Sequence, residues 1–330
     1  MVYPNYYQKK IEMAEGRFTF NNSKIQLPLC RGQVVYNFDL RRLSWLKVGG
    51  PAQVFFQPED EEDLGLFLNN IPLEVPIFAV GLCSNLIIRD GGIPGIVIKL
   101  GKNFSRIKFF EKYISIGAAC IDSQVAKISA KKGIDLSFLR TIPGNIGGAV
   151  TMNAGCYGSY VSDYFLSMRA VFRNGTVRTL YSKDVSFNYR GSFIQDNPII
   201  TEVNFRCIKE QPEEIEKKMN KALEYRAIHQ PVKELSCGST FRNPLGRSSS
   251  MDKTDVDHSL KAWKLIDEAG LRGMRLGGAQ ISTKHPNFMI NTGTATGQHL
   301  EDLGNLVIKK VKEKSGIELV WEIKRVGFSA

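Results

Sequence analysis

Between Ile142 and Gly158 the chain reads Ile-Pro-Gly-Asn-Ile-Gly-Gly-Ala-Val-Thr-Met-Asn-Ala-Gly-Cys-Tyr-Gly, with glycine at five of seventeen positions. Glycine loses more backbone freedom on folding than any other residue, so this density marks turns with positive φ or the close approach of another group. Successive turn amides form a nest that holds phosphate oxygens. Ile142, Ile146, Val150 and Met152 sit between the glycines, spaced to lie against a flat aromatic ring. A tight loop between two strands is the plainer reading of the same residues. The remainder of the chain decides between them.

A length of 330 residues suggests two or three domains. No apolar run reaches the ~18 residues of a membrane span, and the N-terminus lacks the apolar core of a signal peptide. A cytoplasmic protein without membrane contact is expected. Six scattered cysteines with no C-x-x-C pair argue against both a disulfide framework and a metal site. The net charge of +11 is spread along the chain and no nucleic-acid motif accompanies it. It reads as lysine-rich composition or as attraction for anionic small molecules.

Residues 1–35 are weakly patterned and read as an extension, helical near 7–13. Residues 43–57 read as two strands joined at Gly49-Gly50-Pro51. Asp60 to Asp63 form the acidic first turn of a short helix. Strands follow at 75–80, 86–88 and 95–100, with Gly81-Leu82-Cys83-Ser84-Asn85 between the first two. This loop lacks the Lys-Ser/Thr of a P-loop and the G-x-G-x-x-G of a Rossmann turn. A strand at 113–117 precedes a helix capped by Asp122 and ending near Gly133. Asn174-Gly175 is the clearest hairpin signal, and 199–205 alternates as a strand. This succession of short strands and few helices makes the chain α+β. A helix begins at Pro212, and Gln230-Pro231 follows it as a link to a further domain. Residues 237–244 read as a turn-rich loop and 245–256 as a mobile Ser-rich tract. Ser259 is expected to cap a helix at 261–269, and Thr296 precedes an amphipathic one closed by Gly316. The segment 317–326 reads as a strand, with Leu319, Trp321 and Ile323 on one face and Glu322 on the other.

Taken together, Val48-Gly-Gly-Pro-Ala52, Ser84-Asn-Leu86, Asp90-Gly-Gly92, Ile142-Pro-Gly144, Gly147-Gly-Ala149, Asn153-Ala-Gly155, Tyr189-Arg190, Gly238-Ser239, Asn243-Pro244, Lys284-His285 and Asn287-Phe288 resemble the motifs of the UDP-N-acetylenolpyruvoylglucosamine reductase family, in its order and spacing. The resemblance implies a two-subdomain FAD-binding domain of the PCMH/vanillyl-alcohol-oxidase type over residues 36–208. A smaller α+β substrate-binding domain would follow over 209–330. It implies non-covalent FAD, NADPH as reductant, a UDP-linked amino-sugar substrate and a monomer. Hydride from the flavin would reach C3 of an enolpyruvyl group, and C2 would then be protonated.

Carried over residue by residue, the resemblance assigns catalysis to Arg190, Ser239 and Glu322. Arg190 would steady the carboxylate as charge builds, Ser239 would deliver the proton, and Glu322 would order the two. Gly81, Ser84, Asn85, Ile142, Pro143, Gly144, Gly147, Gly148, Ala149 and Asn153 match flavin-contacting positions; Tyr189 and Asn243 match the substrate side. His285 reads as structural and Cys237 as a loop residue. Three features depart from the family pattern. Cys83 stands where a second glycine is usual, Trp321 where a proline is usual, and no tyrosine-bearing insertion follows Arg190, as in the family's shorter class. A different FAD oxidoreductase of this fold, or a non-catalytic relative, is the competing reading.

Overall fold

The computed structural model describes residues 17–21, 23–246 and 258–330. The helix expected at 7–13 and most of the Ser-rich tract lie outside them. The first unit is a four-stranded sheet in the order Gln33–Asp39, Pro51–Gln57, Ile93–Lys99, Ile77–Val80. Gln33–Asp39 pairs antiparallel and the other two junctions are parallel. Alternation sends Val54, Phe56, Ile96 and Ile98 to one face, against Leu64, Phe67 and Leu68 of the helix Glu61–Asn69. Phe55 and Val97 go to the other, against Phe38 and Val80. Asp60 caps the helix, accepting from Asp63 N at 2.9 Å.

Residues 43–57 are not two strands. Pro51–Gln57 alone is one, and its antiparallel partner Gln33–Asp39 begins inside the expected extension, which also holds the hairpin Arg17–Phe20 and Ser23–Gln26. Residues 43–48 leave the sheet because Leu46 and Val48 are buried in the core of the third unit.

The second unit is an antiparallel sheet in the order Val177–Tyr181, Phe165–Val171, Ile199–Arg206, Tyr113–Gly117, Ile107–Phe109. Asn174-Gly175 turns the first pair, with Gly175 at φ 77°. The helices Asp122–Ala130, Ile146–Thr151 and Pro212–His229 share its core: Val125, Val150, Ile215 and Met219 pack with Ile114, Met168 and Val203. Asp122 starts its helix but does not cap it, since Ile121 holds the cap position and makes no side-chain bond.

The third unit orders Leu235–Ser239, Phe288–Asn291, Ala279–Ile281 and Arg275–Leu276 in an antiparallel sheet. Cys237 to Ser239 therefore lie on a strand, not in a loop. The helix Gly297–Ser315 lays Leu300, Leu303, Val307 and Val311 on this core. Thr296 Oγ1 accepts from His299 N at 3.1 Å, and Gly316 at φ 75° ends the helix. The helix Ala262–Glu268 begins after Lys261, which takes the cap position expected of Ser259. Of the strand expected at 317–326, Lys324–Val326 forms, pairing parallel with Leu86–Ile88 of the first unit. No helix among the described residues is long and apolar enough to cross a membrane.

The helix Pro212–His229 was expected to open the substrate-binding domain at 209–330, but its buried Ile215 and Met219 belong to the second core. We propose that the boundary falls at Gln230-Pro231. Ile215→Ala should then destabilise by about 2–5 kcal/mol and speed amide exchange in Tyr113–Gly117 before it does so in Ala279–Ile281. Faster exchange confined to Ala279–Ile281 would return the helix to the third unit.

Candidate active site

A cavity of about 400 Å³ lies where the three units meet. Its first wall is the 81–85 loop, between the strands Ile77–Val80 and Leu86–Ile88. Ser84 Oγ donates to Pro143 O, closing this loop against the glycine stretch. Gly81 lets the Asn145 side chain come close there, since a Cβ would stand 2.1 Å from Asn145 Oδ1. Cys83 adopts φ 52° with its side chain in the first unit's core. The extra carbon is thus absorbed by the core, at a cost of about 1–2 kcal/mol for left-handed backbone. The second wall is the glycine stretch, and six of its seventeen residues form the short helix Ile146–Thr151 rather than a loop. A Cβ on Gly147 would lie 3.2 Å from that of Ala118, so the glycine lets the helix sit close to the sheet.

Gly81, Ser84, Asn85, Ile142, Pro143, Gly144, Gly147, Gly148 and Ala149 all line the cavity. Asn153 does not. Its buried amide donates to Asn188 O at 3.1 Å and accepts from Ser162 N at 3.0 Å. It braces the hairpin Val185–Asn188 and Gly191–Ile194, whose tip carries Tyr189 and Arg190. Arg190 takes φ 59° at that tip, which turns its side chain inward; Nη1 donates to Gly155 O at 2.9 Å.

Arg190, Ser239 and Glu322 reach the same cavity from three elements. Arg190 Nε lies 2.9 Å from Glu322 Oε1, with the two side chains largely buried, at 16% and 13% exposed. Burial lifts the Glu322 carboxyl above its usual range against the pull of Arg190 and Arg242. Burial opposes the Arg190 charge too, but Glu322 and the neighbouring phenols prevail and hold it up. Of the pair, Glu322 is therefore the member whose charged form the site disfavours. Glu322 N donates to Thr240 O and Arg242 N to Val320 O, each at 2.8 Å. These bonds fix Glu322 to the chain just beyond Ser239. Trp321 points the opposite way, onto Phe241 (5.2 Å between ring centroids) and into a notch at Gly304, where a Cβ would stand 2.1 Å from its ring.

Tyr189 and Asn243, expected to touch substrate, are not on the cavity wall. The Tyr189 ring lies 5.3 Å from the Arg190 guanidinium and its hydroxyl meets the Asn243 backbone. Asn243 Oδ1 accepts from Ala262 N at 3.1 Å. Cys237 is buried, with Sγ 3.7 Å from Cys83 O and its thiol pushed up to about 12 by burial. Sequence reasoning missed Arg226 and Lys324, two cavity cations whose charge burial disfavours. Their signal was position: Arg226 lies just ahead of Gln230-Pro231, and Lys324 is two residues after Glu322, on the same face of extended chain. His285 lies off the cavity; its Nδ1 accepts from Asn287 N at 3.2 Å, and burial lowers it to about 4.

Two small-residue turns facing each other across a largely apolar cavity, with Arg226 and Lys324 on its lining, suit a dinucleotide. Gly81 and Gly144 leave no side chain between that ligand and the backbone. Residues 52–181 match the FAD binding domain model, so the fold and site define a flavoprotein-type oxidoreductase. Residues 230–326 match the model of the UDP-N-acetylenolpyruvoylglucosamine reductase C-terminal domain. The chain is 52% identical over 301 residues to the UDP-N-acetylenolpyruvoylglucosamine reductase of Paracoccus denitrificans strain Pd 1222, covering 91% of this chain and 98% of that protein. The protein of that name from Ruegeria pomeroyi is 50% identical, over 90% and 96%. The crystal structure of the Thermus caldophilus UDP-N-acetylenolpyruvylglucosamine reductase shares the fold at TM-score 0.74 and 30% identity, over 91% of this chain and all of that one. The chain belongs to the UDP-N-acetylenolpyruvoylglucosamine reductase family.

Removing one partner of the buried pair leaves the other charge uncompensated, at about 3–5 kcal/mol. Arg190→Met should lose that much in urea denaturation at pH 7, and Arg190→Met with Glu322→Gln should recover most of it. Additive losses would show that the pair is not coupled. His285 gives a pH test. Its folded value of about 4 lies below an unfolded one near 6.5, so the unfolded state binds the proton more readily. Stability should fall as pH drops from about 6.5 to 4, by up to ~3 kcal/mol. His285→Asn should flatten that slope; an unchanged slope would assign it to other groups.

Proposed function

We propose that the chain is an NADPH-dependent flavoenzyme that reduces the enolpyruvyl ether of UDP-N-acetylenolpyruvoylglucosamine to UDP-N-acetylmuramate, a cytoplasmic step toward peptidoglycan. The observation that carries this reading is the convergence of Arg190, Glu322 and Ser239 on one cavity between the two glycine turns. Gly81, Ser84, Asn85 and the residues from Ile142 to Ala149 that line the cavity would hold FAD. Bound FAD supplies the hydride, taken from NADPH, to C3 of the enolpyruvyl group.

Arg190 presents a planar fork to the substrate carboxylate as negative charge spreads into it from C2. Glu322 on one side and the Gly155 carbonyl on the other hold the guanidinium between them. Ser239 faces the same space and gives its proton to C2. The apolar wall of Ile142, Ala118 and Ala149 excludes water while that charge exists. Arg226 and Lys324 supply fixed positive charge for a diphosphate. Tyr189 and Asn243 act by placing the Arg190 hairpin against the third unit. Arg190, Ser239 and Glu322 all come from one chain, which is compatible with an enzyme that works as a monomer.

The half-reactions separate these roles. Ser239→Ala should leave NADPH-driven bleaching of the flavin nearly intact and slow anaerobic reoxidation by the enolpyruvyl substrate ~10²–10⁴-fold. Ser239→Cys should keep part of the rate. Stopped-flow absorbance follows both steps; equal slowing of the two, or wild-type reoxidation in the alanine variant, would reject Ser239 as proton donor.

A further inference from the structure

The cavity wall carries a carboxyl that the mechanism does not use. Asp122 opens the helix Asp122–Ala130 behind the glycine stretch, its N–H donating to Gly144 O at 3.2 Å. Its Oδ2 lies 2.9 Å from where a Cβ on Gly144 would stand, and Ser84 Oγ lies 3.5 Å from that same point. The carboxyl therefore sits at the junction of the two turns. Its side chain is wholly buried, and neither oxygen has a hydrogen-bond partner among the described residues. Buried polar groups are costly when unpaired and native interiors rarely keep them. The apolar core around it, with Val125 and Ala126 one turn further along the helix, would accept alanine or leucine at lower cost. Solvent does not reach the oxygens, while the residue borders the cavity. A ligand that fills that space, with a small shift of the wall at Gly144, is the nearest source of the missing partner.

We propose that Asp122 is a cofactor-binding residue whose carboxyl makes its hydrogen bond to the FAD held between the glycine turns. This rests on the FAD-binding reading above. Burial holds the Asp122 carboxyl well above the usual carboxylate range, so it keeps its proton and acts as a donor. A neutral donor beside the dinucleotide adds no negative charge next to the phosphates. It also gives a use to a residue that burdens the cofactor-free protein.

The test uses deflavinated full-length protein, with FAD affinity read from flavin fluorescence and stability from thermal melts without FAD. Wild type should take up FAD. Asp122→Ala should bind it ~10–100-fold more weakly, the range for a hydrogen bond to a charged or strongly polar group, while its cofactor-free form melts no lower than wild type. Asp122→Asn, a neutral donor of the same shape, should stay within a few-fold of wild type. Wild-type affinity in the alanine variant overturns the assignment. So does a cofactor-free alanine variant that melts well below wild type, which marks a structural carboxyl satisfied by internal water. An asparagine variant as weak as alanine overturns the neutral donor. Failure of wild type to take up FAD overturns the FAD-binding reading and this proposal with it.

Discussion

The site exists because the last strand of the chain returns to the first unit. Lys324–Val326 pairs parallel with Leu86–Ile88, Lys324 N donates to Asn85 O at 3.1 Å, and Asn85 Nδ2 reaches Glu322 O at 3.3 Å. A three-residue strand pair cannot hold two domains by its hydrogen bonds alone. Apolar burial supports it: Leu46, Val48 and Ile87 of the first unit sit in the core of the third. Polar contacts fix the register. Asp90 accepts from Gly297 N and Gln298 N at the start of the long helix, and Arg89 Nε pairs with Glu301 Oε1 at 2.7 Å. The loop that lines the cavity and the Glu322 carboxyl that completes it are therefore tied to each other by direct contacts.

That connection bears on the buried ion pair. Two charges taken out of water recover their desolvation cost only where geometry is fixed and the remaining polar atoms are satisfied. Arg190 meets the condition from one side, through Gly155 O, and Arg242 Nη2 reaches back to Arg190 O at 3.4 Å. Glu322 meets it less fully, which is why burial still lifts its carboxyl. An arrangement tuned for stability would have used apolar residues. A charged pair kept here is better explained by the charge that the substrate brings and the reaction moves.

What the sequence disclosed and what it hid divide along the range of the interaction. Local signals were readable: the acidic helix start at 60–63, the helix that follows Thr296, the Asn174-Gly175 turn and the alternation in 113–117 and 199–205 depend on near neighbours. Gln33–Asp39 escaped notice because much of it is half-exposed or exposed, so its alternation has little apolar contrast. Leu46 and Val48 imitated a strand because period two is also the pattern of an extended plug entering another core. The helix Ile146–Thr151 was hidden by its glycines, which fit turns better than helices and are used here for close packing. The Pro212 helix was legible as a helix; which core its Ile215 and Met219 enter was not, since an amphipathic stripe does not name its partner. At the site, the motif resemblance brought Arg190, Ser239 and Glu322 together. It gave no means of distinguishing residues on the wall from those one layer behind, such as Asn153, Tyr189 and Asn243.

The two departures at Cys83 and Trp321 show how a changed residue is accommodated without moving the site. A proline before the glutamate would fix the backbone by its ring. Tryptophan has no such constraint, and the backbone is set instead by pairing with Phe241 and by the Gly304 notch. Because adjacent side chains of extended chain point to opposite faces, anchoring the Trp321 ring on the long helix aims Glu322 at Arg190. Cys83 follows the same logic at the other wall. Its left-handed backbone is the one a glycine would adopt, and its side chain is spent on the core behind the loop. In both places the path of the main chain is what the cavity requires. The side chain is free to differ as long as a neighbouring core, or a glycine on the facing helix, makes room for it.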